Sequence, residues 1–197
     1  MRWLPPSLLL VPFLVACVGS TPPPCPKAPE PPPASAVPAS AAQGAACPGK
    51  VEAIDGLAPA DDDALYKQAL GQPGKGSLCT GQVFEVLRPV KVYRVWTKEK
   101  SHTKLGRWWS FSRPRGPVSE YRRANAICAE WSDLDVVSEC TLKAGARVVV
   151  GPGQSALCKA ESYPVSETNQ VFVPNDTRDP EKQKVLVEGC TEGSPFP

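Results

Sequence analysis

Between Arg88 and Arg123 the chain carries eleven basic residues against Glu99 and Glu120, a local charge of +9 in a protein whose net charge is only +2. Tyr93, Trp96, Trp108, Trp109, Phe111 and Tyr121 are interleaved with those cations. Guanidinium forks grip phosphate, and an aromatic face stacks on a base or another flat ring. The mixture therefore fits a ligand with phosphates and a flat ring. A nucleic-acid strand or an anionic lipid surface would use the same groups. In the purely structural reading the charges are solvated and the tryptophans are core.

Other chemistries have less to draw on. His102 is the single histidine and sits in the polar stretch Lys98–His102, so a Ser-His-Asp or Cys-His hydrolase lacks a well-placed base. No two of the eight cysteines stand at C-x-x-C spacing, which leaves no metal-ligand set. Gly151-Pro152-Gly153 lacks the spacing of a nucleotide loop and reads as a turn, because Pro152 has no amide to offer a phosphate.

The elements that would position these side chains follow from periodicity. Asp61-Asp62-Asp63 before Ala64–Leu70 predicts a short helix, acidic residues being favoured at a helix N-terminus, that ends at Gly71. Gln82–Leu87 and Val90–Trp96 are rich in β-branched and aromatic residues and are separated by Pro89, so both read as strands. Ser119–Trp131 predicts the longest helix, with Tyr121, Ala124, Ile127, Cys128 and Trp131 at helical spacing and Ser119 as its cap. Val136–Leu142, Arg147–Val150, Gln170–Val173 and Lys184–Val187 read as further strands between Gly and Pro turns. The expected fold is α+β, mostly short antiparallel strands with one or two helices.

The N-terminal region has a different character. Arg2, the apolar run Leu8–Val15 and the Leu14-Val15-Ala16-Cys17 sequence resemble a bacterial lipoprotein signal, with residues 1–16 removed and Cys17 acylated. Val18 after that cysteine resembles the pattern sorted to the outer membrane. Residues 17–48 are rich in Pro and Ala and read as a tether, since proline fixes φ and removes amide donors. Residues 49–197 are enough for one globular domain. Cys25 lies in the tether, and Cys47, Cys79, Cys128, Cys140, Cys158 and Cys190 form an even set that allows three disulfides among 15 pairings in an oxidising compartment.

The order Val92-Tyr93-Arg94-Val95, Gly106-Arg107-Trp108-Trp109-Ser110, Tyr121-Arg122-Arg123, Ala144-Gly145-Ala146-Arg147-Val148 and Asn169-Gln170-Val171-Phe172-Val173 resembles the ADP-ribosyltransferase-like fold, in particular bacterial NAD glycohydrolase toxins of the tuberculosis necrotizing toxin type. The resemblance covers about residues 83–174. It implies NAD as substrate, with Arg94 holding a phosphate and Trp108 or Trp109 lying beside the nicotinamide. It further implies an orienting hydroxyl at Ser110, a second phosphate contact from Arg122 or Arg123, and Gln170 at the ribose. Glu167, three residues before Gln170, would face the other side of a regular strand and does not match the Glu-x-Glu pair of the transferases. The functional expectation is an exported lipoprotein toxin that binds and cleaves NAD, as an NAD glycohydrolase or an ADP-ribosyltransferase, held at a membrane through Cys17 and paired with an immunity or target protein, with no specific nucleic acid. The competing expectation is an inert outer-membrane binding module that uses its basic aromatic face on an anionic envelope component.

Overall fold

The computed structural model describes residues 46–51, 54–177 and 183–197. The signal segment, Cys17, Cys25 and all but the end of the tether lie outside the described residues. Cys47 is bonded to Cys79, which ties the C-terminal end of the predicted tether to the domain.

The fold is α+β, and its strand ladders are antiparallel. One sheet contains β1 (Leu57–Pro59), β2 (Gln82–Val86), β4 (Trp108–Trp109), β6 (Arg147–Pro152) and β9 (Asn169–Phe172) in the order β1-β2-β6-β9-β4. The second is built on β5 (Val136–Leu142), which pairs along its length with β3 (Val90–Trp96). On its other side β5 pairs with β10 (Val187–Glu188) and β11 (Ser194–Pro195). A bridge between Tyr93 and Ser110 joins the two sheets, so β4 lies between β9 and β3. Residues Ala156–Leu157 (β7) and Ser162–Tyr163 (β8) form a separate hairpin.

Alternation along the strands explains the layers. Phe84, Val148, Val150 and Val171 turn inward to meet Val92, Cys140 and Leu142 of the second sheet in the main core. Their neighbours Val83, Val149 and Phe172 face the other way and are covered by Leu65 and Ala69 of α1 (Asp63–Ala69). Asp62 caps that helix by accepting from the Leu65 amide at 2.9 Å. On the second sheet Val95 and Val137 meet Leu134 and Phe196, with Val118 and Tyr121 of α2 (Val118–Asn125) packed alongside.

Three disulfides join the even set of six cysteines, Cys47–Cys79, Cys128–Cys158 and Cys140–Cys190. The sequence allowed this number and left the pairing open.

Three sequence expectations are corrected. The helix expected over Ser119–Trp131 starts at Val118 after Pro117, without a side-chain cap, and stops at Asn125, where Ala126 takes a left-handed conformation. Gly151 and Pro152 continue β6 instead of turning, pairing with Gln170 and Asn169. The Pro152 carbonyl accepts from the Cys79 amide, and Gly151 passes so close to the Thr80 carbonyl that a β-carbon would overlap it. Of the strand expected over Lys184–Val187, only Val187 joins a ladder, while Lys184 makes an isolated bridge to Asp176.

Candidate functional site

Arg94 reaches its position because of what lies opposite β3. Its Nε donates to the Thr103 carbonyl and its Nη1 to the Trp108 carbonyl, each at 2.7 Å. The guanidinium lies directly against Gly106, where a β-carbon would stand 2.6 Å from Cζ. The glycine of the Gly106–Ser110 motif is therefore a seat for Arg94. The Gly106 peptide is itself fixed, its carbonyl accepting from Trp109 Nε1 at 2.8 Å and from Asn175 Nδ2 at 3.1 Å.

The charge so placed is unusual. Among the described residues no carboxylate comes within ion-pair distance of Arg94, and Nη2 has no hydrogen-bond partner. Burial pulls the guanidinium down to about 10, a shift that the neighbouring Tyr121 opposes. The group still carries its charge at neutral pH, and a partly buried cation without a counterion is well suited to an anionic ligand.

Gln170 arrives from β9. Its side chain is buried, and its Nε2 donates to the Asn125 carbonyl at the end of α2, 3.1 Å away. The amide group occupies the space beside Gly153, where a β-carbon would approach Nε2 to 2.6 Å. Its Oε1 accepts no hydrogen bond among the described residues. Each of the two polar residues is thus accommodated by a glycine on a neighbouring segment.

Arg94, Gln170 and Trp108 line one cavity of about 330 Å³, with Lys75, Ser77, Asn125, Ser132 and Trp131 on its walls. Trp108 is half-buried, and its ring leans on Phe172 at a centroid distance of 5.1 Å. Trp109 points into the main core and is 2% exposed, so of the two adjacent tryptophans only Trp108 reaches the cavity. Ser110 lines a neighbouring cavity of about 500 Å³ together with Arg113, Arg115 and Tyr121, and Asn125 borders both spaces. The Ser110 hydroxyl donates to the Ser112 carbonyl at 2.9 Å.

The remaining predicted residues have other surroundings. Arg122 is buried and donates to the carbonyls of Ile127, Cys128, Ser132 and Asp133. Its guanidinium is committed to the loop that follows α2. Arg123 is exposed and lines neither cavity. His102 is exposed within a short 3-10 turn, Ser101–Thr103. Among the described residues, Cys128, Glu130 and Cys158 stand near enough to share a metal ion, and their two sulfurs are bonded to each other.

Lys75, Asn125, Ser132 and Trp131 are wall residues that the sequence did not single out. Helical spacing puts Trp131 on the apolar face of a longer helix, whereas in the structure it lies beyond the end of α2. The only signal for the others was proximity in the fold.

No family model matches the chain, and no curated protein or solved structure is significantly similar to it.

Proposed function

We propose that the domain binds NAD in the cavity under Arg94, Trp108 and Gln170 and cleaves its nicotinamide–ribose bond, and that the chain is an exported lipoprotein effector with an ADP-ribosyltransferase-like fold. The observation that carries the reading is convergence. Arg94, Trp108 and Gln170 come from three motifs far apart in the sequence and line a single cavity. The strands that bear them are neighbours, β3 bridging to the end of β4 and β4 pairing with β9.

The chemistry suits these groups. In NAD the nicotinamide nitrogen is cationic, so the bond to the ribose C1′ breaks with its electron pair passing to the ring, which leaves neutral and needs no acid. Water then adds to C1′ and gives up a proton to solvent; the products are nicotinamide, ADP-ribose and a proton. Positive charge develops on the ribose along the way. The Gln170 Oε1 dipole provides a fixed negative end for that charge or for the attacking water. Arg94 offers its charge to a phosphate, and the tryptophan walls offer an apolar exit for the ring.

The size of the space also supports the reading. A cavity of about 330 Å³ suits a mononucleotide half, and the adjoining cavity of about 500 Å³ has Arg113 and Arg115 on its wall for the rest of a dinucleotide. Three disulfides accord with export to an oxidising compartment.

The test is release of nicotinamide from NAD by the oxidised protein. Turnover in the wild type, reduced roughly a hundredfold or more in Arg94→Lys and in Gln170→Ala, is the expected result, that being the scale of losing one preorganised polar group. A correctly folded wild type without turnover would leave the inert binding module as the better account.

A further inference from the structure

Building on that NAD reading, we propose that Trp131 is a ligand-stacking residue of the same cavity and that the loop after α2 is built to hold it there. Trp131 is 47% exposed, whereas Trp96 and Trp109 are buried. It lines the cavity opposite no aromatic partner of its own, since neither ring pair among the described residues includes it. One edge of its indole rests on Gly76, where a β-carbon would lie 3.1 Å from Cζ3 and 3.2 Å from Cη2.

A tryptophan left half in water is ordinary on a mobile loop, but this loop is restrained from several sides. Cys128–Cys158 bonds it to the β7–β8 hairpin segment. Arg122 holds both ends through the Cys128 carbonyl at 3.1 Å and the Ser132 carbonyl at 2.6 Å. The Thr97 hydroxyl meets Ser132 Oγ at 2.8 Å and accepts from the Asp133 amide at 2.9 Å. Ala126, with φ of 49°, and Leu134, with φ of 61°, bracket the segment in a left-handed conformation that residues with a β-carbon seldom adopt. Restraint and strain together hold in place an indole that rests on Gly76 and stays about half exposed.

The occupant is the nicotinamide ring, because the ribose to which it is joined is the one that Gln170 orients. The ring in NAD is a pyridinium, and a tryptophan face attracts a cation. Stacking on the ring face is kept from the bound substrate to the transition state, so Trp131 acts on binding more than on the chemical step.

Trp131→Ala and Trp131→Phe in the full-length oxidised protein test this, with denaturation midpoints confirming that both variants fold. Stacking of this kind predicts a KM for NAD raised roughly 5- to 150-fold in Trp131→Ala, with kcat changed less than about twofold. Trp131→Phe recovers most of the loss. Calorimetry should show weaker nicotinamide mononucleotide binding in Trp131→Ala and unaltered AMP binding. A wild type that cleaves NAD and a Trp131→Ala protein with the same KM would overturn the stacking role and leave the NAD reading intact; a loss confined to AMP would overturn the assignment to the nicotinamide ring. A folded wild type that neither binds nor cleaves NAD would overturn both.

Discussion

Arg94 was legible in the sequence as a cation on an aromatic-rich strand, and Gln170 as a polar residue on an apolar one. What the sequence did not reveal is how each is accommodated. Gly106 and Gly153 leave room for their side chains, a relation that depends on contacts between distant segments. Gly106→Ala should therefore push the Arg94 guanidinium out of its seat. The expected cost is about 1–3 kcal/mol of folding stability, the range for overpacking, together with loss of nucleotide binding. Chemical denaturation and calorimetry on the same variant check both effects. Tyr121 gives a pH signature at the same scale, since burial pushes its phenol up to about 12, against the opposing charge of Arg94. In the unfolded chain the phenol ionises near pH 10. Between those values the folded state keeps a proton that the unfolded state has lost, so this residue's contribution to stability falls as pH rises through the interval. Burial raises Tyr163 as well, so an ultraviolet titration should find both tyrosines ionising above the ordinary value, and Tyr121→Phe should remove the component near 12.

Most elements followed from local pattern, and the departures arose where a tertiary contact overrode it. Ala124, Ile127, Cys128 and Trp131 have helical spacing, yet α2 stops at Asn125 because Cys128 is drawn to Cys158 and the following carbonyls turn toward Arg122. The resemblance implies a phosphate contact from Arg122 or Arg123; the Arg122 guanidinium is bound to carbonyls of this loop, and Arg123 is exposed. Pro152 was expected to end a strand, but its carbonyl and Gly151's lack of a side chain let β6 run on between Thr80 and β9. Cys128–Cys158 closes a separation of 30 residues. Converting both cysteines to serine should lower stability by about 3–4 kcal/mol on the chain-entropy estimate for such a loop. The same change should weaken NAD binding, because the cavity wall that bears Trp131 loses its anchor. Guanidinium denaturation paired with an NAD titration separates the two consequences.

At the scale of the whole domain, two antiparallel sheets share one core and meet where Tyr93 bridges to Ser110. That junction brings β3, β4 and β9 side by side and carries the three motif residues to one cavity. The α+β class was readable from the order of strands and helices. The joining of the sheets was not, because it depends on one short strand, Trp108–Trp109, whose two side chains serve opposite purposes: Trp108 faces the cavity and Trp109 fills the core. The most direct measurement is a crystal structure of the oxidised protein with a non-cleavable NAD analogue. The account predicts a phosphate oxygen within hydrogen-bond distance of the Arg94 guanidinium, the ribose beside Gln170, and the nicotinamide between Trp108 and Trp131. An analogue bound elsewhere on the domain, or this cavity left empty at a saturating concentration, would contradict it.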